Sequence, residues 1–336
     1  MTMRAPHPFA RFTQILGRGR TLTRSLTVEE AEEAMSMILA GDVLPEQLGA
    51  FLMLLRVKEE SPEEIAGFVR ACRKAMVLPS PVPKVDIDWS SYAGKKRQLP
   101  WFILAATVMA RSGVRVFMHG IDGHTAGRVY TKETLERLGM PVAGSFAEAA
   151  AHLGERNFAY LPLEIVSPKL ADMIGLRNIL GLRSPVHTLA RMLNPFGAPC
   201  MLQGIFHPGY MDIHQKAAAI LGQPHMAVFR GEGGEIERRP NKPAEVKTVH
   251  DGALAEERWP AIIPEPRQVP EEDMELGRLV ALWKGEIADD YAEAAITGTV
   301  AIALKTMGRA IGMSEAQRMA EAMWKDRDRK PLAAVA

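Results

Sequence analysis

Apolar positions recur at helical spacing from residue 27 to residue 78, and in short strand-length runs beyond it. Thr27 and Glu30 have the spacing of a capping box, and Met35, Ile38 and Leu39 follow at helical intervals. Gly41 and Asp42 break that pattern and Pro45 restarts it. "LGAFLMLLRVK" (48–58) is apolar nearly all round, as in a helix that lies in a core or at an interface. Ser61, Pro62 and Glu64 mark a further helix start. Three prolines in "LPSPVPK" (78–84) favour a stiff extended crossover. The chain therefore divides into a small helical part, 1–78, and a larger part, 79–336, unless the crossover is a hinge within one body.

Past the prolines, strand and helix patterns alternate. "VDIDW" (85–89), "VRVFMHG" (114–120), "NFAYLP" (157–162), "APCMLQGIF" (198–206) and "HMAVFRG" (225–231) read as strands. "TKETLERLGM", "SPKLADMIGLRNILG" (167–181) and "DIHQKAAAILG" read as helices between them. This alternation predicts an α/β domain with a largely parallel sheet. Gly94, Gly120, Gly204 and Gly231 then gather at one sheet edge, where such domains bind ligands. Residues 232–270 read as loops or short antiparallel strands. "YAEAAITGTVAIALKTMG" (291–308) reads as a long buried helix, and "WKDRDRK" (324–330) as a charged, solvated last turn.

One loop stands out for its chemistry. "SSYAGKKRQLPW" (90–101) joins the first strand to a helix, a place where phosphates are often held by backbone N–H groups. Such loops are usually rich in glycine. This one has Gly94 alone, followed by Lys95, Lys96 and Arg97.

Composition narrows the class without deciding it. The 336 residues are 47% hydrophobic and 24% charged, ordinary for a globular protein. Cys72 and Cys200 are far apart and sit in apolar surroundings, which suggests a reducing compartment and neither a disulfide framework nor a zinc site. The N-terminus lacks the apolar core of a secretory signal and no run is long enough to span a bilayer, so a cytoplasmic protein is expected. A net charge of +1 hides local asymmetry: residues 1–24 carry five arginines and no acid, and residues 84–130 carry seven Lys and Arg against three Asp.

"RNILGLRSPVHTLARMLNPFGA" (177–198), "HPGYMDIHQKAAAILG" (207–222) and the N-terminal "LTVEEAEEAMSMILAGDVLPEQLGAFLMLLRVK" resemble the anthranilate phosphoribosyltransferase family over nearly the whole chain. The resemblance implies a fold of the nucleoside phosphorylase/phosphoribosyltransferase type, α/β with a small all-α domain completed by a helix from the larger part. It also implies a homodimer packed through the small domains.

The motifs that carry catalysis in that family are altered. Its Gly-Thr-Gly-Gly-Asp loop, which embraces the pyrophosphate of phosphoribosyl pyrophosphate, corresponds to "AGKKRQ" (93–98). Its Lys-His-Gly-Asn-Arg motif corresponds to "MHGID" (118–122), keeping His119 and Gly120, and the following Ser-rich loop to "GHTAGR" (123–128). Its Asp-Gly-Leu-Asp-Glu run, whose acids help hold magnesium, corresponds to "GEGGEIE" (231–237), which keeps Glu235 but has Ile236 next to it. A hydrocarbon cannot ligate magnesium. Glu237 is expected to point elsewhere if the backbone is extended. Arg177 matches the arginine that contacts anthranilate in the family.

"YAGKKRQLPWF" resembles a YbiB-like branch that shares the fold and binds nucleic acid without marked sequence preference. On that reading DNA or RNA is the partner, with no cofactor, and phosphates meet Gly94, Lys95, Lys96, Arg97, His119, His124, Arg128, Arg177, Arg183 and Arg191, with Lys169 extending the strip. Magnesium and phosphoribosyl pyrophosphate belong only to the alternative, a transferase. Several of these residues have plainer roles open to them. Lys95–Arg97 could be a solvated loop, His119 a core histidine, and Arg191 a cap on its helix. Tyr92 and Trp101 are candidates either for stacking on bases or for the core. Arg177 and Arg183, six apart, do not share a helix face.

Overall fold

The computed structural model describes residues 5–19, 21–263 and 274–333. Arg4 and Arg20 of the basic N-terminal run lie outside them. Four helices open the chain: α1 (Ala10–Gly17), α2 (Val28–Ala40), α3 (Pro45–Lys58) and α4 (Pro62–Ala75). The expected capping box of Thr27 with Glu30 forms, the helix start marked by Ser61 closes a second one with Glu64, and Gly41 ends α2 in the left-handed region.

The sheet has seven strands: β1 (Ile87–Ser91), β2 (Val116–Gly120), β3 (Phe158–Pro162), β4 (Cys200–Ile205), β5 (His225–Arg230), β6 (Ala244–His250) and β7 (Ala253–Trp259). Their order is β3-β2-β1-β4-β5-β6-β7, the first five parallel and the last two antiparallel. All five strands expected from the sequence are present. The first begins two residues late, where the N–H groups of Asp86 and Ile87 share the Arg115 carbonyl at 2.9 and 3.2 Å and the Asp86 carboxylate takes the Arg115 backbone N–H at 2.8 Å.

Helices cover both faces. On one lie α5 (Phe102–Arg111), α6 (Thr131–Arg137), α13 (Gly277–Lys284), α14 (Asp290–Thr306) and α15 (Met313–Lys325), whose apolar residues share a core with Trp89, Met118, Leu202 and Phe229. On the other, α1–α4 join α7 (Phe146–Arg156), α8 (Leu163–Val166), α9 (Pro168–Gly175), α11 (Val186–Ala190) and α12 (Met211–Ile220) over Phe117, Leu161, Met201 and Val228. The long apolar helix is α14, buried along most of its length.

Two expectations are corrected. The helix expected over 167–181 is broken: α9 stops at Gly175, and a separate turn, α10 (Arg177–Leu180), follows and ends at Gly181 with φ 75°. Glycines at both junctions weaken continuous helix and permit the left-handed cap. The segment 324–330 is not simply solvated. Trp324 is buried, and the Arg327 guanidinium lies 3.7 Å over its ring while donating to the Leu282 and Trp283 carbonyls.

The strand order reverses between β1 and β4, so their C-terminal ends open a crevice there. Gly120 sits beside it because a Cβ would lie 2.0 Å from the Ser91 carbonyl oxygen.

Candidate functional site

The loop leaving β1 turns its backbone donors toward an acid of the chain itself. Glu235 Oε1 accepts from the N–H groups of Ala93 and Gly94, each at 2.6 Å, and Oε2 accepts from Ser91 Oγ at 2.8 Å. Glu235 is almost wholly buried. Gly94 holds φ +67°, and a Cβ there would meet the Tyr130 ring at 2.9 Å. The next residue pairs with Val129 through two backbone hydrogen bonds of 2.8 Å, which turns Lys95 inward. Lys95 Nζ lies 2.5 Å from Glu237 Oε1, and Glu237 Oε2 accepts from the Phe102 N–H at the start of α5. Burial pushes the Glu237 carboxyl up to about 7, with Lys95 opposing. Thus both anion-seeking features of the loop, its N–H cradle and the helix start, are satisfied from within by Glu235 and Glu237.

A cationic rim surrounds this filled cradle. Lys96 and Arg97 are exposed. The antiparallel bridge sets Lys96 across from Arg128, whose guanidinium donates to the carbonyls of Ala93 at 2.8 Å and Gly94 at 3.0 Å. Arg177 and Arg183 converge on Thr125 Oγ1, at 2.9 and 3.1 Å. They reach it from opposite sides of the αL residue Gly181, so spacing along a single helix does not govern them. Arg177 also donates to the His124 carbonyl at 3.1 Å. His124 itself contacts the Tyr92 carbonyl through Nε2 at 2.8 Å, and burial holds its imidazole down at about 4, hence neutral. Burial, then Arg177 and Arg128, lower the Arg183 guanidinium. Among the described residues no carboxylate pairs with Arg128, Arg177 or Arg183.

Behind the rim is a cavity of about 170 Å³ between α3, α11 and the turn after β4. Arg56, Glu60, Arg183, His187, Arg191 and His207 line it. Arg56 donates to Tyr210 Oη at 3.0 Å, and Arg191 donates to the His187 carbonyl at 2.8 Å and lies 5.7 Å from the centre of the Tyr92 ring. Phe206 stands at the mouth, 48% exposed, with the Arg230 guanidinium 5.9 Å from its ring centre. Sequence reasoning missed Arg56, His187, Phe206 and His207. The available signal was the "HPGY" turn directly after an apolar strand, where a switch-point loop falls.

Burial decides between the readings left open for several residues, and for His119, Tyr92 and Trp101 it favours the core. Lys95 is 1% exposed and committed to Glu237, so it offers no charge to a polymer. His119 is fully buried, with Nδ1 2.7 Å from Tyr92 Oη and Nε2 3.3 Å from Asp88. Tyr92 and Trp101 are each 1% exposed, and stacking on a base needs an open face. Arg191 caps its own helix as the plainer reading had it, yet it also faces the cavity.

Residues 11–76 match the family described as "Glycosyl transferase family, helical bundle domain". The chain is 30% identical over 313 residues to the anthranilate phosphoribosyltransferase of Moorella thermoacetica, covering 88% of this chain and 89% of that protein. The chain belongs to the anthranilate phosphoribosyltransferase family. It is also 28% identical over 238 residues to the uncharacterized protein YbiB of Escherichia coli, covering 70% of this chain and 74% of YbiB. The fold matches the anthranilate phosphoribosyltransferase of Thermus thermophilus with a TM-score of 0.76 at 23% identity, over 95% of this chain and 94% of that one. The Saccharomyces cerevisiae enzyme in complex with PRPP and Mg matches with a TM-score of 0.75 at 17% identity, over 94% and 93%.

Within this family the residues present here do not fit a magnesium-held pyrophosphate. Glu235 spends both oxygens on the loop, Ile236 is buried hydrocarbon, and Glu237 is tied to Lys95. Among the described residues no three His, Cys, Asp or Glu side chains converge as a metal site.

Proposed function

We propose that this family member binds DNA or RNA through phosphates, without marked sequence preference, and performs no phosphoribosyl transfer. One observation carries the reading. Arg128, Arg177 and Arg183 stand without carboxylate partners beside exposed Lys96 and Arg97, around a cradle already occupied by Glu235. A filled cradle leaves no room for a compact pyrophosphate, while an open cationic rim suits an extended polyanion. Each neutralised phosphate releases condensed counterions, which gives affinity without reading bases.

Electrophoretic mobility of labelled oligonucleotides at two ionic strengths tests this. Unrelated sequences are expected to be retarded equally, and less at the higher salt. Affinity that ignores salt, or no retardation at low salt, overturns it. We further propose that the protein acts as a homodimer, since apolar Val57, Ile179 and Leu182 are more than half exposed in the single chain. Two rims on one dimer then engage a long polymer together. Sedimentation of the free protein checks the dimer.

The second reading is a glycosyl or phosphoribosyl transferase with a remodelled donor site. The cavity lined by Arg183 favours it, as an acceptor pocket. Saturable heat on titrating phosphoribosyl pyrophosphate with magnesium would support it, and its absence at high ligand concentration rejects it.

A further inference from the structure

We propose that the cavity between α3 and α11 is a receptor for a terminal phosphomonoester, so that the protein holds nucleic-acid ends as well as nucleic-acid backbone. The cavity's walls carry three guanidinium groups, from Arg56, Arg183 and Arg191, against one carboxylate, from Glu60. Two positive charges are left over. A phosphomonoester near neutral pH carries close to two negative charges, its second pKa being about 6, whereas a carboxylate or an internal phosphodiester carries one.

A second observation points the same way. His187 is 8% exposed; the Ser184 backbone favours its charged form, yet among the described residues neither ring nitrogen meets hydrogen-bond geometry with any group. Buried polar groups are seldom left so, and an orphan imidazole on the wall of a cationic cavity marks the place of a missing partner. Burial, together with His124, Arg191 and Arg183, holds His187 well below its ordinary value. It is therefore neutral and carries one N–H that suits a phosphate oxygen. Burial raises the Glu60 carboxyl, which lessens its opposition to an anion; Thr188 Oγ1 donates to its Oε1 at 2.7 Å, and Oε2 is unpartnered.

Size and continuity select an end. About 170 Å³ is below the roughly 300–1,000 Å³ of pockets that enclose drug-sized ligands. Its depth suits one phosphate group rather than a whole nucleotide. Arg183 belongs both to the rim and to the cavity wall, so a backbone lying along the rim delivers its terminus there.

The oligonucleotide arm of the test rests on the nucleic-acid reading, and the small-molecule arm does not. A 5′-phosphorylated oligonucleotide is expected to bind about tenfold more tightly than its 5′-hydroxyl counterpart. His187→Ala and Arg56→Gln are each expected to abolish that ratio while leaving the 5′-hydroxyl affinity unchanged, with folding checked by circular dichroism. In calorimetry a nucleoside 5′-monophosphate is expected to bind saturably, the parent nucleoside not at all, and both variants to lose the heat. Equal affinity of the two oligonucleotides overturns end capture. The cavity assignment is overturned by equal behaviour of monophosphate and nucleoside, by retention in both variants, or by an aromatic monocarboxylate binding more tightly than the monophosphate. If neither oligonucleotide binds, the rim reading fails and calorimetry still decides the cavity.

Discussion

Lys95 and Glu237 form an ion pair of 2.5 Å in which neither side chain is more than 1% exposed. Removing one partner of such a pair strands the other in a low-dielectric interior, at a cost of about 3–5 kcal/mol. Lys95→Met is expected to lower the urea midpoint accordingly. The double variant Lys95→Met with Glu237→Leu is expected to recover most of the loss, because no charge then remains buried. A Lys95→Met protein as stable as the parent would show that the pair does not hold the loop.

Lys96 and Arg97 face solvent, so their removal is a test of binding alone. Lys96→Ala with Arg97→Ala is expected to leave the melting temperature within a degree or so and to reduce nucleic-acid affinity. The slope of log affinity against log salt is expected to flatten by about 0.7–0.9 for each cation that contacts a phosphate. An unchanged slope excludes both residues from the contact.

Glu235 closes the cradle through two backbone N–H groups and the Ser91 hydroxyl. Glu235→Ala leaves those donors without their acceptor, and hydrogen bonds to charged groups each contribute about 1.5–3 kcal/mol. The amides of Ala93 and Gly94 are expected to exchange with solvent deuterium at least about tenfold faster than in the parent, as a loss of about 1.4 kcal/mol already gives that factor. Unaltered exchange would mean that the loop is held by Arg128 and Val129 without the acid.

Acid should destabilise the protein through His214. Burial lowers this imidazole from 6.5 to about 3, and Gln203 Oε1 takes its Nδ1 side. Between those values the unfolded chain binds the proton that the folded chain refuses. This contribution is complete above 6.5 and falls with pH by up to about 1.4 kcal/mol per unit until about 3. Glu237, raised from 4.5 to about 7, acts with the opposite sign in its own window. The readout is therefore the difference between the parent and His214→Gln in denaturant midpoints across the acid range. Parallel pH profiles would refute the assignment.

Gly204 lies in β4, where a Cβ would sit 2.1 Å from the Glu235 carbonyl oxygen and 2.6 Å from the Ile236 nitrogen. Both are backbone atoms that cannot rotate away. Gly204→Ala is expected to cost about 1–3 kcal/mol by overpacking and to disturb the Glu235 cradle. Thermal melting together with the Ala93 and Gly94 exchange rates checks both effects at once.

Local signals fixed most of the architecture. The capping box at Thr27, the helix start at Ser61 and the five apolar strand runs depend on neighbours a few residues apart, and all appear in the fold, with strand ends shifted by up to two residues. The resemblance in 177–222 likewise located the rim arginines Arg177 and Arg183. What the side chains do depended on partners far away in the chain. Lys95 reads as a surface cation until Glu237, 142 residues later, arrives beside it, and the same separation joins Ala93 to Glu235. Tyr92 and His119 satisfy each other across two strands. His187 and Arg56 belong to segments that nothing local connects, yet they share one cavity wall. Periodicity reports which face of an element is buried; whether a charge is buried, paired or open to a ligand is settled only when distant segments meet and water is excluded between them.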